Sequence, residues 1–431
     1  MYIRRSKGVN TSMALSFMND PMLGLGTLVF TGYFLGYLAA CFDLPRITGY
    51  LLAGVLLNPT FLSLVPKDAL DHSGVLVDML LCLITFEIGG ALSWRAIRSL
   101  GKTILAITVM EAEMAFLAVI MGMSLVAVVV GPRFGIVGTP SILAFALLMG
   151  GLISPTDPAA TIAVTHQYGA KGPVTSTILG VSALDDGFGI VNFGVALCCA
   201  RAFLGHGGMS LLSVVFTPIR TIGLSLVLGC CFGWLLDRMS HPAMDAEGKG
   251  GLVVVLFGSL AACFGTASLL GADELLSTMI VGAWVVNKNP RANQIFDFLS
   301  STMEEPVFLV FFCVSGMSLN MASLLHSLLF LPFVVLFRLV GKGLGVLMGG
   351  EWAGMPLRRC LSVIGGLIPL GGIVIGLALT LRKFPELASV ADTLINVVIG
   401  STLIHECLGP LAARWALRTS GELSDVSRGK G

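Results

Sequence analysis

"GGLISPTDPAATIAV", Gly150–Val164, lies within an apolar run long enough to span a bilayer, yet it carries two prolines and an aspartate. Pro155 and Pro158 bracket Thr156-Asp157. Pro158 lacks an amide donor and clashes with the preceding turn, so a helix has to open here. Opened backbone at membrane depth survives only where protein or a water-filled cavity replaces the lost hydrogen bonds. A second stretch, "GGLIPLGGIVIGLAL" (Gly365–Leu379), starts in the same way and breaks at Gly371-Gly372 after Pro369. Where two such breaks cross, like ends of the helix dipoles face each other. A carboxylate at Asp157 would then offset the facing positive N-termini.

The composition makes the bilayer the solvent. Of 431 residues, 55% are hydrophobic and 12% charged, and the mean hydropathy is +0.91. A soluble chain of this composition would expose large apolar patches and aggregate. Strands of a membrane barrel alternate apolar and polar residues, whereas the apolar runs here last roughly 20 residues, the length of a spanning helix. Net charge is +1, which provides no field to attract nucleic acid. The ten cysteines fall mostly inside apolar runs, as at Cys198-Cys199 and Cys230-Cys231, and read as free core thiols without metal-ligand spacing.

Working outward from the breaks, the chain divides into about thirteen apolar segments, as expected of an all-α polytopic membrane protein. They cover 22–42, 47–65, 74–94, 103–130, 141–165, 173–204, 209–236, 251–271, 273–287, 304–321, 324–349, 359–381 and 388–416. Residues 1–431 form a single transmembrane domain, embedded over about 22–418, with no soluble domain. The tail before Pro21 is basic but leads into a full-length span, so no cleavable signal is expected. With the N-terminus outside, cytoplasmic loops and tail hold about fifteen Lys and Arg against about eight opposite, so the C-terminus is expected in the cytoplasm.

An internal repeat runs through these segments. "GYLLAGVLLNP" (Gly49–Pro59) resembles "STMIVGAWVVN" (Ser277–Asn287), and "ITFEIGGALS" (Ile84–Ser93) resembles "FFCVSGMSLN" (Phe311–Asn320). These pair Gly54 with Gly282 and Gly89 with Gly316; the two broken stretches form a third pair in the same order. The members of each pair are an odd number of segments apart, so the second copy enters the membrane from the opposite side. Inverted repeats with matched broken helices point to a secondary transporter whose site lies where the breaks meet.

Ionisable groups deep in a span cost at least about 2.5–3.5 kcal/mol on insertion scales and mark function by default. Asp157, Asp185, Asp186, Glu87, Glu111, Glu113, Arg338 and Lys342 lie too far inside their segments to snorkel easily. In "SALDDGFGIVNFG" (Ser182–Gly194), Asp185 and Asp186 point about 100° apart on a helix, so one can face a partner and the other a cavity. A carboxylate beside hydroxyl and carbonyl oxygens suits a hard cation as well as a proton. Arg338 and Lys342 in "FRLVGKGLGVLMGG" (Phe337–Gly350) are one turn apart on one helix face, and a buried lysine opposite an aspartate can keep its charge.

Together these motifs resemble the monovalent cation/proton antiporter superfamily, in particular its bacterial sodium/proton exchangers, over nearly the whole chain. "DLPRITGYLLAGVLLNP" (Asp43–Pro59) is similar to the family's second-helix signature, "TDP" (Thr156–Pro158) to a broken-helix motif, "LDD" (Leu184–Asp186) to the paired-aspartate motif and "GKGLG" (Gly341–Gly345) to the lysine segment. The resemblance implies two crossed broken helices, a core bundle that carries them and a separate dimerisation bundle. It makes Asp186 the carboxylate for Na⁺ and protons and Asp185 the partner of Lys342, with Arg338 a second charge partner. Thr156 and Ser182 would supply oxygen atoms, Asp157 would compensate dipoles, and Glu87 in "TFEIGG" matches a third-helix acid. Two positions depart from the pattern: Val181 where one branch has an acid, and Leu370 where an arginine often follows the proline.

The expected activity is therefore exchange of a monovalent cation, Na⁺ first, for protons by alternating access in a homodimer of the bacterial inner membrane. Lys342 would lose its proton when Asp185 leaves it, which would make exchange electrogenic. Alternatives are K⁺/H⁺ exchange and sodium-coupled symport of an organic anion. No enzyme activity, cofactor or nucleotide is implied, since "GKGLG" lacks the glycine spacing of a phosphate loop.

Overall fold

The computed structural model of the chain describes residues 21–42, 46–58, 74–156, 170–204, 211–247, 249–317, 328–370 and 373–422. These form helices α1 (Pro21–Cys41), α2 (Arg46–Leu57), α3 (Gly74–Ala91), α4 (Trp94–Val130), α5 (Thr139–Ile153), α6 (Pro173–Leu204) and α7 (Leu211–Glu247). There follow α8 (Lys249–Leu270), α9 (Glu274–Lys288), α10 (Ala292–Met317, with a π turn at Leu299–Met303), α11 (Leu331–Trp352), α12 (Leu357–Gly366), α13 (Ile373–Thr380) and α14 (Ala388–Ser420). No strand occurs among the described residues; the only bridge there joins Thr156 to Leu370.

Nine of these helices are long and apolar enough to cross a membrane, fewer than the thirteen spans expected. The other four apolar segments hold shorter helices: α2, α5, α9 and the α12–α13 pair. In two of them the cause is the break itself, because α5 stops before Pro155 and α12 stops before Pro369. Helix α4 begins earlier than the apolar pattern suggests. Its first turns are set at an angle by Gly101, at φ 80° and ψ 168°, a left-handed backbone that side chains rarely adopt.

The helices pack as two bundles. One holds α1–α3 and α7–α10, and the other holds α4–α6 and α11–α14. Within the first bundle the inverted repeat shows directly as contacts. A Cβ on Gly54 would lie 2.1 Å from the Cys313 carbonyl oxygen and 2.8 Å from Gly316 Cα. A Cβ on Gly282 would lie 2.0 Å from the Phe86 carbonyl oxygen and 3.1 Å from Gly89 Cα. Swapping Gly54 for Gly282 and Gly316 for Gly89 turns one crossing into the other. Two glycine-on-glycine crossings, α2 on α10 and α9 on α3, are thus images of each other. Small residues let helix backbones approach where lipid provides no hydrophobic drive.

In the second bundle the two breaks meet. Thr156 and Leu370, equivalent positions after the two prolines, form the antiparallel bridge. Arg338 of α11 is fully buried beneath it. Its Nε donates to the Ile153 carbonyl at 2.8 Å and Nη2 to that of Pro155 at 2.9 Å. On the other side Nη1 donates to the Ile368 carbonyl at 2.5 Å and Nη2 to that of Pro369 at 2.9 Å. Ile153 and Ile368 are repeat equivalents, and Pro155 and Pro369 are the first prolines after them, so one guanidinium closes two related helix ends. Each end carries about half a negative charge, and together they match the single positive charge of Arg338. No ion pair to Arg338 occurs among the described residues, so its partners are carbonyls and not the carboxylate its charge suggested.

Two substitutions test this framework. Gly282→Val drives a side chain into the Phe86 carbonyl and should destabilise by at least the ~1–3 kcal/mol typical of overpacking. Arg338→Lys keeps the charge, but one ammonium cannot reach four carbonyls on two helix ends. It should cost about 2 kcal/mol or more, from carbonyls left buried and unbonded. Thermal unfolding of purified protein in detergent measures both.

Candidate functional site

One turn beyond Arg338 on α11, Lys342 reaches the same crossing from within the protein, 1% exposed. The glycines of "GKGLG" explain how. A Cβ on Gly341 would lie 2.6 Å from Ala115 Cα, and one on Gly345 would lie 2.4 Å from both Glu111 Cα and the Met110 carbonyl oxygen. Helix α11 therefore lies backbone to backbone on α4, and Lys342 projects from this contact toward the Thr156 break.

The ammonium has three donors and three acceptors. Lys342 Nζ donates to Thr156 Oγ1 at 2.7 Å, to Asp185 Oδ2 at 3.2 Å and to the carboxylate of Glu111. Asp185 and Glu111 are fully buried, and so is Thr156. The second oxygens of the two carboxylates, Glu111 Oε2 and Asp185 Oδ1, are buried without hydrogen-bond partners among the described residues. The hydroxyls of Ser182 and Ser154 are in the same condition. Buried polar atoms are normally satisfied, and a group of oxygen atoms lacking donors is an environment that favours a cation.

Asp186 differs from its neighbour. Asp185 is fully buried against Lys342, whereas Asp186, about 100° round the helix, is half-buried. Ser182 lies one turn before Asp186 on α6. Helix α6 passes close to the break, since a Cβ on Gly189 would lie 2.1 Å from Pro155 Cγ. Asp157 lies outside the described residues, as do Gly371 and Gly372. Glu87, on α3, is half-buried and has Glu304 as its charged neighbour; no bond joins it to the Lys342 group among the described residues.

The crossing, Lys342 and Asp185 thus meet, Asp186 follows on the same helix, and no bond joins Glu87 to them among the described residues. Glu111 is the member of this cluster with no role assigned from its sequence context. Its depth within an apolar run was the available signal; its partner could not be read, because Lys342 is 231 positions away.

The geometry agrees with the comparisons. The transmembrane sodium/hydrogen exchanger family matches residues 26–418. The chain is 26% identical to the Na(+)/H(+) antiporter NhaP of Pseudomonas aeruginosa over 290 residues, 63% of this chain and 66% of that one. It is 26% identical to the K(+)/H(+) antiporter NhaP2 of Shewanella oneidensis over 168 residues, 38% of this chain and 29% of that one. The chain therefore spans just under two thirds of the first relative and much less of the second. The fold matches that of the sodium proton antiporter MjNhaP1 from Methanocaldococcus jannaschii with a TM-score of 0.71 at 19% identity, covering 96% of this chain and 99% of that one. With the family match extending over nearly all of its spans, the chain belongs to the sodium/hydrogen exchanger family.

Proposed function

We propose that this protein is a secondary active antiporter that exchanges Na⁺ for protons by alternating access. The observation that carries the reading is the division between the adjacent aspartates. Lys342 holds Asp185 in the dry interior, and Asp186 on the same helix, one turn after Ser182, keeps partial exposure. Asp186 is then the carboxylate that accepts either a proton or a cation, with Ser182 and Thr156 as oxygen ligands. Occupancy by one excludes the other, which is the minimum needed for exchange. The bundle of α4–α6 and α11–α14 moves against the bundle of α1–α3 and α7–α10 and carries the site from one face of the membrane to the other.

A bare cation suits this site better than an organic anion. All three donors of Lys342 are engaged, as are four of the five N–H groups of Arg338, so little positive charge is left to hold a carboxylate substrate. K⁺ is the second reading, favoured by the named activity of the Shewanella relative. The protein works as a homodimer in the bacterial inner membrane with its N-terminus outside and C-terminus cytoplasmic. The aromatic face of α1, where Phe30 and Phe34 are exposed, belongs to the bundle assigned to pairing.

Asp186→Asn should reduce cation-driven proton flux in proteoliposomes to the level of protein-free liposomes, because an amide neither releases a proton nor gives a cation full charge. The variant should remain folded and inserted. Flux comparable to wild type, with Na⁺, K⁺ or Li⁺ added, would remove Asp186 from the site. Asp157→Ala should lower the melting temperature in detergent and leave weak exchange of the same ion, since its role is to offset the facing N-termini of the broken helices. Unchanged stability with a switched ion preference would instead make Asp157 a ligand.

A further inference from the structure

The expectation of electrogenic exchange depends on Lys342 being left without a counter-ion when the cation draws Asp185 away. The structure places a second carboxylate there. We propose that Glu111 is a positioning residue that keeps Lys342 a paired ammonium at the crossing of the breaks through the whole cycle. One cation then moves against one proton without net charge. This inference rests on the Na⁺/H⁺ reading above and deepens it.

Three observations support it. First, Lys342 Nζ touches both carboxylates, that of Glu111 and, at 3.2 Å, that of Asp185, so each can serve as its counter-ion. Second, the Glu111 contact is fixed by backbone. Gly341 and Gly345 seat α11 directly on Met110, Glu111 and Ala115 of α4, whereas Asp185 comes from a third helix, α6. Motion of α6 can open the Asp185 bond without disturbing the Glu111 bond. Third, charge accounting leaves Lys342 well supplied. Arg338 also faces Glu111 and Asp185, but its charge is matched by the two helix ends whose carbonyls it holds. Lys342 therefore has two carboxylates, and losing one still leaves a pair.

The other titratable groups nearby do not compete for this role. His405 of α14 lies near Lys342 and Arg338 but turns Nδ1 to the Ser401 carbonyl at 2.7 Å. Glu113, two residues after Glu111, faces Asp185 and makes no bond to the ammonium among the described residues. A buried ammonium in contact with a carboxylate keeps its proton, because breaking the pair strands a charge in a dry site. In each cycle the proton on Asp186 passes to water as the cation takes its place, and all three protons of Lys342 stay where they are.

The test is net charge per transported cation, from current on solid-supported membranes and from Na⁺-driven proton flux in proteoliposomes at clamped voltage. Wild type should exchange without current or voltage dependence. Glu111→Gln leaves Asp185 as the sole counter-ion, so Lys342 must give up a proton whenever the cation claims Asp185. Net charge should rise from zero to about one per cation. Glu111→Asp should restore neutral exchange. Lys342→Arg cannot deprotonate and should stay neutral, alone or combined with Glu111→Gln. A new current is a signature that mere loss of packing would not produce. A current from wild type, or a Glu111→Gln variant that exchanges as neutrally as wild type, would overturn the inference while the exchange reading stands; should Glu111→Gln fail to fold, a wild-type current abolished by Lys342→Arg would do the same. Absence of any cation-driven proton flux in wild type would overturn the exchange reading itself.

Discussion

A helix that stops in the middle of a membrane leaves carbonyls that lipid cannot satisfy, and here one guanidinium satisfies two such ends together. Arg338 donates to Ile153 and Pro155 on one side and to Ile368 and Pro369 on the other. Everything else at the site takes its position from this arrangement. Thr156 can leave helical geometry because the chain before it is held, and Leu370 meets it across the bridge for the same reason. Lys342 shares the helix with Arg338, so anchoring the arginine also brings the ammonium to the opening one turn away.

The departures from the family pattern have counterparts in the packing. With Leu370 after the second proline, the guanidinium that reaches both breaks comes from Arg338 on α11. With Val181 before Ser182, α6 has no acid at that position, and the additional carboxylate at the cluster comes from Glu111 on α4. Both groups lie on the α4–α11 pair, where glycines bring the backbones together. Both of these charged groups thus come from a helix pair beside the broken helices.

The same logic separates the two aspartates. Adjacent residues on a helix face different directions, so a single helix can place one carboxylate in a closed ion cluster and the next at a partly exposed surface. A closed cluster resists change because separating its charges in a dry interior is costly. A half-buried carboxylate keeps contact with the exterior that a closed cluster lacks.

The sequence by itself determined the class of fold and most of the members of the site. Long apolar runs required spanning helices, and Pro155, Pro158 and Pro369 required breaks because proline removes a helix donor wherever it falls. Pairing of Gly54 with Gly282 and Gly89 with Gly316 gave the inversion, and it returned as two equivalent crossings exchanged by the repeat. Charges too deep to snorkel named Asp185, Asp186, Arg338, Lys342 and Glu111, because lipid penalises them wherever they stand. Which charge meets which was decided only by the tertiary structure. Arg338 and Lys342 share one helix face, yet one binds carbonyls and the other carboxylates, since a single turn of helix carries them past different neighbours. Glu111 gained its partner from helix packing across 231 residues, a relation that no local pattern encodes. Among the described residues the full-length spans are fewer than the apolar segments, because hydropathy records that a segment is in the membrane and not where its helix stops.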